Sequence, residues 1–295
     1  MRTDDAVVVV TGASSGIGRA TALELARRGA DPVLVARRAD ALHDVARQCE
    51  LAGARPLVVP ADVTDETAVH AVVAQAQERL GPVDGWVNAA SVMQFGALWE
   101  VPAADVARVL EVNVMGAVHG CQAVLPGMMA RGRGVLVNVS SLLGAIALPF
   151  GGSYSMSKFA LRALGAGLRQ ELRRAGATGV EVCTVLPVAV DTPIWQVAAT
   201  LTGRNPLPPP PVLPPERVAT EIVDRIRSPR REAVVGGVAA RALLAAHSVV
   251  PSVAERLLDV VMDLMTPGSR TGPPGPGNLY EPAPGTGSVR GRPQE

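Results

Sequence analysis

The chain has 295 residues, 48% of them hydrophobic and 19% charged, which is enough apolar material for one large domain with a well-buried core or for two small ones. A formal net charge of +1 excludes a basic nucleic-acid footprint, so no nucleic-acid partner is expected. Cys49, Cys121 and Cys183 are widely spaced; they imply neither a metal site nor a disulfide framework, and a cytoplasmic location is expected.

The opening MRTDD leads straight into an apolar run, so no secretory signal is expected. Short apolar runs then alternate with helical periodicity. Strands are expected at Ala6–Val10, Pro32–Ala36, Pro56–Val59, Gly85–Asn88, Val135–Val139 and Val180–Leu186, and helices at Gly16–Gly29, Asp40–Ala52, Glu66–Leu80, Ala103–Met129 and Ser155–Ala175. Continuous rather than alternating hydrophobicity suits strands covered on both faces. The fold class is therefore α/β, a Rossmann-type doubly wound parallel sheet in three layers. That domain is expected over residues 1–237, with a proline-rich loop at about 191–215, a helix at Glu216–Arg227 and an edge strand at Glu232–Val235. A helical extension over 238–266 follows. Val234–Val250 is broken by Arg241 and His247 and falls short of the roughly 20 apolar residues of a membrane span, so no membrane partner is expected. Residues 267–295 are about half Gly and Pro, a tail expected to lack regular structure.

Three motifs carry chemistry. The first strand ends in Thr11-Gly12-Ala13-Ser14-Ser15-Gly16-Ile17-Gly18, and a helix follows. Glycines there allow a tight turn and a close backbone approach to a pyrophosphate, and the helix N-terminus favours the anion. The second strand ends in Arg37-Arg38, where an acidic residue would bond a ribose hydroxyl; two guanidiniums favour a 2′-phosphate instead, unless they merely form a solvated loop. In Tyr154-Ser155-Met156-Ser157-Lys158 a phenol and an ammonium stand four apart on one helix face. A free phenol has a pKa of about 10, and a neighbouring cation is expected to lower it towards proton-transfer range. Lys158 is the only lysine beside 27 arginines, which hints at a task that a guanidinium cannot perform.

The Thr-Gly-x-x-x-Gly-x-Gly turn and the Tyr-x-x-x-Lys pair resemble those of the short-chain dehydrogenase/reductase family, over about residues 7–193. The resemblance implies Ser141, Tyr154, Lys158 and Asn113 as catalytic residues: Ser141 bonding the substrate oxygen, Tyr154 exchanging the proton, and Asn113 anchoring a water relay. It implies dinucleotide contacts from Gly12, Ser14, Ser15, Gly16, Ile17, Gly18, Arg37, Arg38, Asp62, Val63, Asn88, Tyr154, Lys158, Pro187, Val190 and Thr192, with NADP(H) preferred over NAD(H). Asp62 has an alternative role as the cap of the following helix. Two segments depart from the family pattern: Asn88-Ala89-Ala90-Ser91 stands for Asn-Asn-Ala-Gly, and Pro187-Val188 stands for Pro-Gly.

Met93, Phe95, Leu143, Ile146, Leu148, Phe150 and Trp195 are expected near the site, forming an apolar cleft for a small hydrophobic ketone or secondary alcohol; the alternative for any one of them is a place in the core. The resemblance further implies a homodimer or homotetramer. The competing reading is a catalytically weak nucleotide-sensing protein on the same fold, suggested by the two departures.

Overall fold

The computed structural model describes residues 4–201 and 207–252, residues 255–256, 259–260, 274–283, 285 and 287–291, and the backbone of 204–205 and 270–271. In chain order the elements are β1 (Val7–Thr11), α1 (Gly16–Arg27), β2 (Asp31–Ala36), α2 (Ala39–Leu51), β3 (Leu57–Pro60), α3 (Glu66–Arg79), β4 (Val83–Asn88) and a short β5 (Gln94–Phe95). Then come α4 (Ala103–Leu110), a π turn (Glu111–Met115), α5 (Gly116–Arg131), β6 (Gly134–Val139), a 3₁₀ turn (Leu142–Gly144), α6 (Gly152–Arg174) and β7 (Val180–Pro187). Last are α7 (Ile194–Val197), β8 (Ala199–Thr200), β9 (Arg204–Asn205), α8 (Pro215–Arg227), β10 (Glu232–Val235), α9 (Gly237–Val249) and β11 (Arg270–Thr271).

Seven strands form one parallel sheet in the order β10-β7-β6-β4-β1-β2-β3. The unbroken Val7–Val10 run is explained by its two neighbours. Val8 and Val10 pack into the layer with α1 and α8, while Val7 and Val9 pack into the opposite layer with α3 and α5. Each fully buried valine contributes about 1.5–3 kcal/mol relative to exposure. Chain direction out of the sheet reverses between β1 and β4, so a crevice opens at their carboxyl ends.

The helix expected from Ala103 to Met129 is interrupted by the π turn. Asn113, inside it, sends its side chain to the Val92 backbone, accepting from N–H at 2.8 Å and donating to C=O at 2.9 Å. Gly116, at the start of α5, lies so close to Val63 that a Cβ would sit 2.6 Å from its side chain. Of the helical extension expected over 238–266, α9 is the first part; the rest lies largely outside the described residues. Among the described residues no helix is long and apolar enough to cross a membrane. Among the described residues the tail adds β11, paired antiparallel with β9, and a bridge between Gly275 and Thr200, and its Asn278, Pro282 and Ala283 line the crevice.

Candidate active site

A cavity of about 460 Å³ follows the carboxyl ends of β1, β4, β6 and β7. At its centre is the glycine turn. Thr11 Oγ1 donates to the Val87 carbonyl at 3.3 Å and accepts from the amides of Ala89 and Ala90 at 3.1 and 3.2 Å. This ties the turn to the altered Asn88–Ser91 segment, whose backbone is therefore held without the family's second Asn. Gly12 adopts a φ of +70°, and a Cβ there would lie 2.8 Å from Ala90 Cα; a Cβ on Gly18 would strike the Gly12 carbonyl. Ser14, Ser15, Gly16 and Ile17 complete this part of the wall. Such a cradle of N–H groups, open only because side chains are missing, fits a pyrophosphate.

One arm of the cavity ends at Arg37, Arg38, Asp62 and Val63. Burial lowers the Arg37 pKa while the Asp62 charge raises it, the mark of a half-desolvated cation. Asp62 accepts from the Thr64 amide at 3.0 Å and hydroxyl at 2.9 Å. Burial pushes its carboxyl up, but those bonds and the Arg37 and Arg108 charges hold it below the usual range. The cap of α3 is Asp65, which accepts from the Ala68 amide at 3.0 Å, so Asp62 is left for the cavity.

The other arm holds Ser141, Tyr154 and Lys158. Lys158 Nζ lies 5.2 Å from the Tyr154 ring centroid and donates to the Val139 carbonyl at 3.1 Å. Burial pushes its ammonium down to about 7. The expected lowering of the phenol is not found. Burial pushes the Tyr154 pKa up, and the hydroxyls of Ser91 and Ser141 offset this only in part. Ser141 Oγ accepts from the Leu143 amide at 3.1 Å and lies 3.5 Å from the Pro187 carbonyl. Ser140 is turned away from the cavity's reacting end and donates to the Lys158 carbonyl at 2.8 Å.

Two expected contacts lie behind the wall. Asn88 is buried and accepts from Trp86 Nε1 at 2.7 Å while donating to Asn138 at 2.9 Å. Asn113 donates to Ser157 Oγ at 2.9 Å, and Ser157 in turn donates to the Tyr154 carbonyl at 2.7 Å. Ser157, fully buried within the Tyr154–Lys158 turn, was not singled out in the sequence; a small polar residue between those two positions was the available signal.

Pro187, Val190 and Thr192 line the far wall. Val188, where the family has Gly, is accommodated by Gly236, on which any Cβ would collide with the valine side chain. Of the seven apolar residues expected here, Met93, Leu143, Leu148 and Trp195 face the cavity. Phe95 instead backs Trp195, with ring centroids 6.2 Å apart; Ile146 is core, and Phe150 is exposed at a φ of 59°. Sequence reasoning missed the contributions of Leu243 on α9 and of Asn278, Pro282 and Ala283 on the tail.

The family model described as "short chain dehydrogenase" matches residues 6–200. The oxidoreductase YxnA of Bacillus subtilis is 34% identical over 260 residues, covering 88% of this chain and 72% of that protein. Cis-4-hydroxycyclohexanecarboxylate dehydrogenase of Sinomonas cyclohexanicum is 38% identical over 244 residues, 79% of this chain and 94% of its own length. Among solved structures, a short-chain dehydrogenase/reductase of Burkholderia phymatum in complex with NAD superposes with a TM-score of 0.76 at 30% identity, covering 86% of this chain and 96% of that one. An alcohol dehydrogenase of the archaeon Thermococcus sibiricus, complexed with 5-hydroxy-NADP, gives a TM-score of 0.69 at 28% identity, covering 79% and 97%.

Proposed function

The chain belongs to the short-chain dehydrogenase/reductase family of oxidoreductases, and from that premise we propose that it interconverts a small apolar ketone and its secondary alcohol with NADP(H), using Tyr154 as the proton-transfer residue. The observation that carries this reading is one cavity with Ser141, Tyr154 and Lys158 in one arm and the glycine cradle and Arg37 in the other. When bound, the dinucleotide supplies or accepts the hydride. Arg37 and Arg38 would hold a 2′-phosphate, which supports NADP(H) over NAD(H). The amides of the Gly12–Gly18 turn would hold the pyrophosphate, and Val190 and Thr192 the carboxamide end.

A phenol kept protonated by burial is a proton donor, which suits reduction. Tyr154 Oη–H gives its proton to the carbonyl oxygen as charge builds there, and Ser141 Oγ–H donates to the same oxygen. Lys158, titrating near neutrality, returns a proton towards the phenolate. Met93, Leu148 and Trp195 exclude water from the apolar end and supply few polar anchors. The dehydrogenase from Sinomonas, named for a ring hydroxy acid, supports including cyclic secondary alcohols among the substrates.

The nucleotide-sensing alternative drew its support from the two altered motifs. Thr11 and Gly236 accommodate both, which weakens it. Exposed Met115, Met129 and Phe159, on the π turn, α5 and α6, support a homo-oligomer through those elements, which sedimentation would check. The activity is tested by following nicotinamide absorbance over a panel of hydrophobic ketones. The parent should turn over at least one, and Tyr154→Phe should lose about 10²–10⁴-fold in kcat while still binding nucleotide. Equal turnover by the variant would remove Tyr154 from the mechanism.

A further inference from the structure

The tail touches the dinucleotide groove at three places, in the order of the groove itself. At the Arg37 end, the guanidinium donates to the carbonyls of Tyr280 at 2.6 Å and Asn278 at 3.2 Å, and Glu281 adds a nearby negative charge. At the glycine cradle, the Gly16 amide donates to the Ser288 carbonyl at 3.0 Å. At the far wall, the Gly291 amide approaches the Asp191 carbonyl at 3.4 Å, and Gly291 lies against Thr192 with no room for a Cβ. Between these places Pro282 and Ala283 line the cavity.

The segment is anchored, not draped. Leu279 is completely buried among Val63, Val92, Val109 and Val112. Arg108 Nε donates to its carbonyl at 3.0 Å, and the Asn278 amide donates to Val197 at 2.9 Å. The Tyr280 hydroxyl donates to Asp105 at 2.7 Å while its ring lies under the Arg108 guanidinium, 6.0 Å away. Carbonyl oxygens thus occupy the donors that phosphates would require.

We infer that residues 274–283 and 287–291 are an intrachain competitor of the dinucleotide, docked along its groove and expelled when it binds. This rests on the dinucleotide reading of the cavity. At the Gly16 amide a phosphate oxygen accepts a charge-assisted bond roughly twice as strong as that of the neutral Ser288 carbonyl, and at Arg37 a phosphate adds an ion pair that the Tyr280 and Asn278 carbonyls lack, so the nucleotide can displace the segment. Its apparent affinity is nevertheless reduced by the fraction of molecules left open: a tenfold excess of the docked state weakens binding about tenfold.

The test uses the full-length protein. NADPH and NADH are titrated against the parent, Leu279→Asp, which removes the buried anchor, and Tyr280→Ala, which removes only half-exposed contacts and guards against misfolding of the first. Amide exchange of the tail is followed with and without NADPH. Competition requires both variants to bind nucleotide more tightly, by about tenfold for Leu279→Asp, and tail exchange to quicken when NADPH is added. Unchanged or weaker binding in the variants, or a tail that NADPH protects, overturns the competition and leaves the cavity reading intact. If no protein binds either nucleotide, the cavity reading itself is wrong and the competition falls with it.

Discussion

Lys158 has no acidic partner among its described hydrogen bonds; its Nζ meets the Val139 carbonyl, and burial alone brings its pKa down to about 7. An unfolded chain would keep this ammonium near its usual 10.5. Between those values the unfolded state holds more protons than the folded one, so stability rises with pH across the window. Urea unfolding of the parent and Lys158→Met should therefore show the difference between them moving in the parent's favour as pH rises from 7 towards 10.5; a pH-independent difference would mean that the lysine is not buried as a titrating group. That Tyr154 and Lys158 share a site was legible from their spacing and from the uniqueness of the lysine. The direction of the phenol shift was not, because spacing reports the neighbouring cation and is silent about desolvation. That Arg37 lines the cavity was legible from its place just after β2, whereas the inward turn of Asn88 depends on Asn138, which lies 50 residues away in the chain.

The strands were readable because two-sided burial leaves an uninterrupted apolar run, and each expected strand lies within a residue or two of the observed one. The π turn was not readable, since a single extra residue barely disturbs helical periodicity over the long Ala103–Met129 segment. Its effect is to aim Asn113 at Val92 and Ser157, making a strut behind the Tyr154 turn. A second packing point is Gly120 of α5, where a Cβ would come within 2.6 Å of Trp86 Nε1 and 2.8 Å of Asn88 Oδ1. Gly120→Ala should destabilise the fold by about 1–3 kcal/mol in urea titration, the cost of overpacking against a buried hydrogen-bonded pair. A neutral substitution would show that Trp86 and Asn88 can move aside. Phe95 and Ile146 were misplaced at this scale because core and cavity lining share one composition; only the direction of each side chain separates them.

At the scale of the whole molecule, β1 and β4 set the crevice, α9 closes one side of it and the tail touches it at three places along its length. The alternation of strands and helices made the doubly wound sheet legible from the first half of the chain. The docking of the tail was hidden because its Gly- and Pro-rich composition specifies no helix, while its attachment depends on backbone carbonyls and one buried leucine. The proposed NADP(H) preference would be a property of this assembled groove, since Arg37, just after β2, and the glycine turn after β1 would act on one ligand. The tail opposes both dinucleotides alike, so the ratio of their dissociation constants reports Arg37 rather than the tail. Titration of the parent and Arg37→Asp with NADPH and NADH is the most direct test. The parent should bind NADPH more tightly, and the variant should lose that preference by about tenfold or more, the worth of a charge-assisted bond. Equal binding of the two nucleotides by the parent, or an unchanged ratio in the variant, would contradict the assignment of Arg37 to a 2′-phosphate.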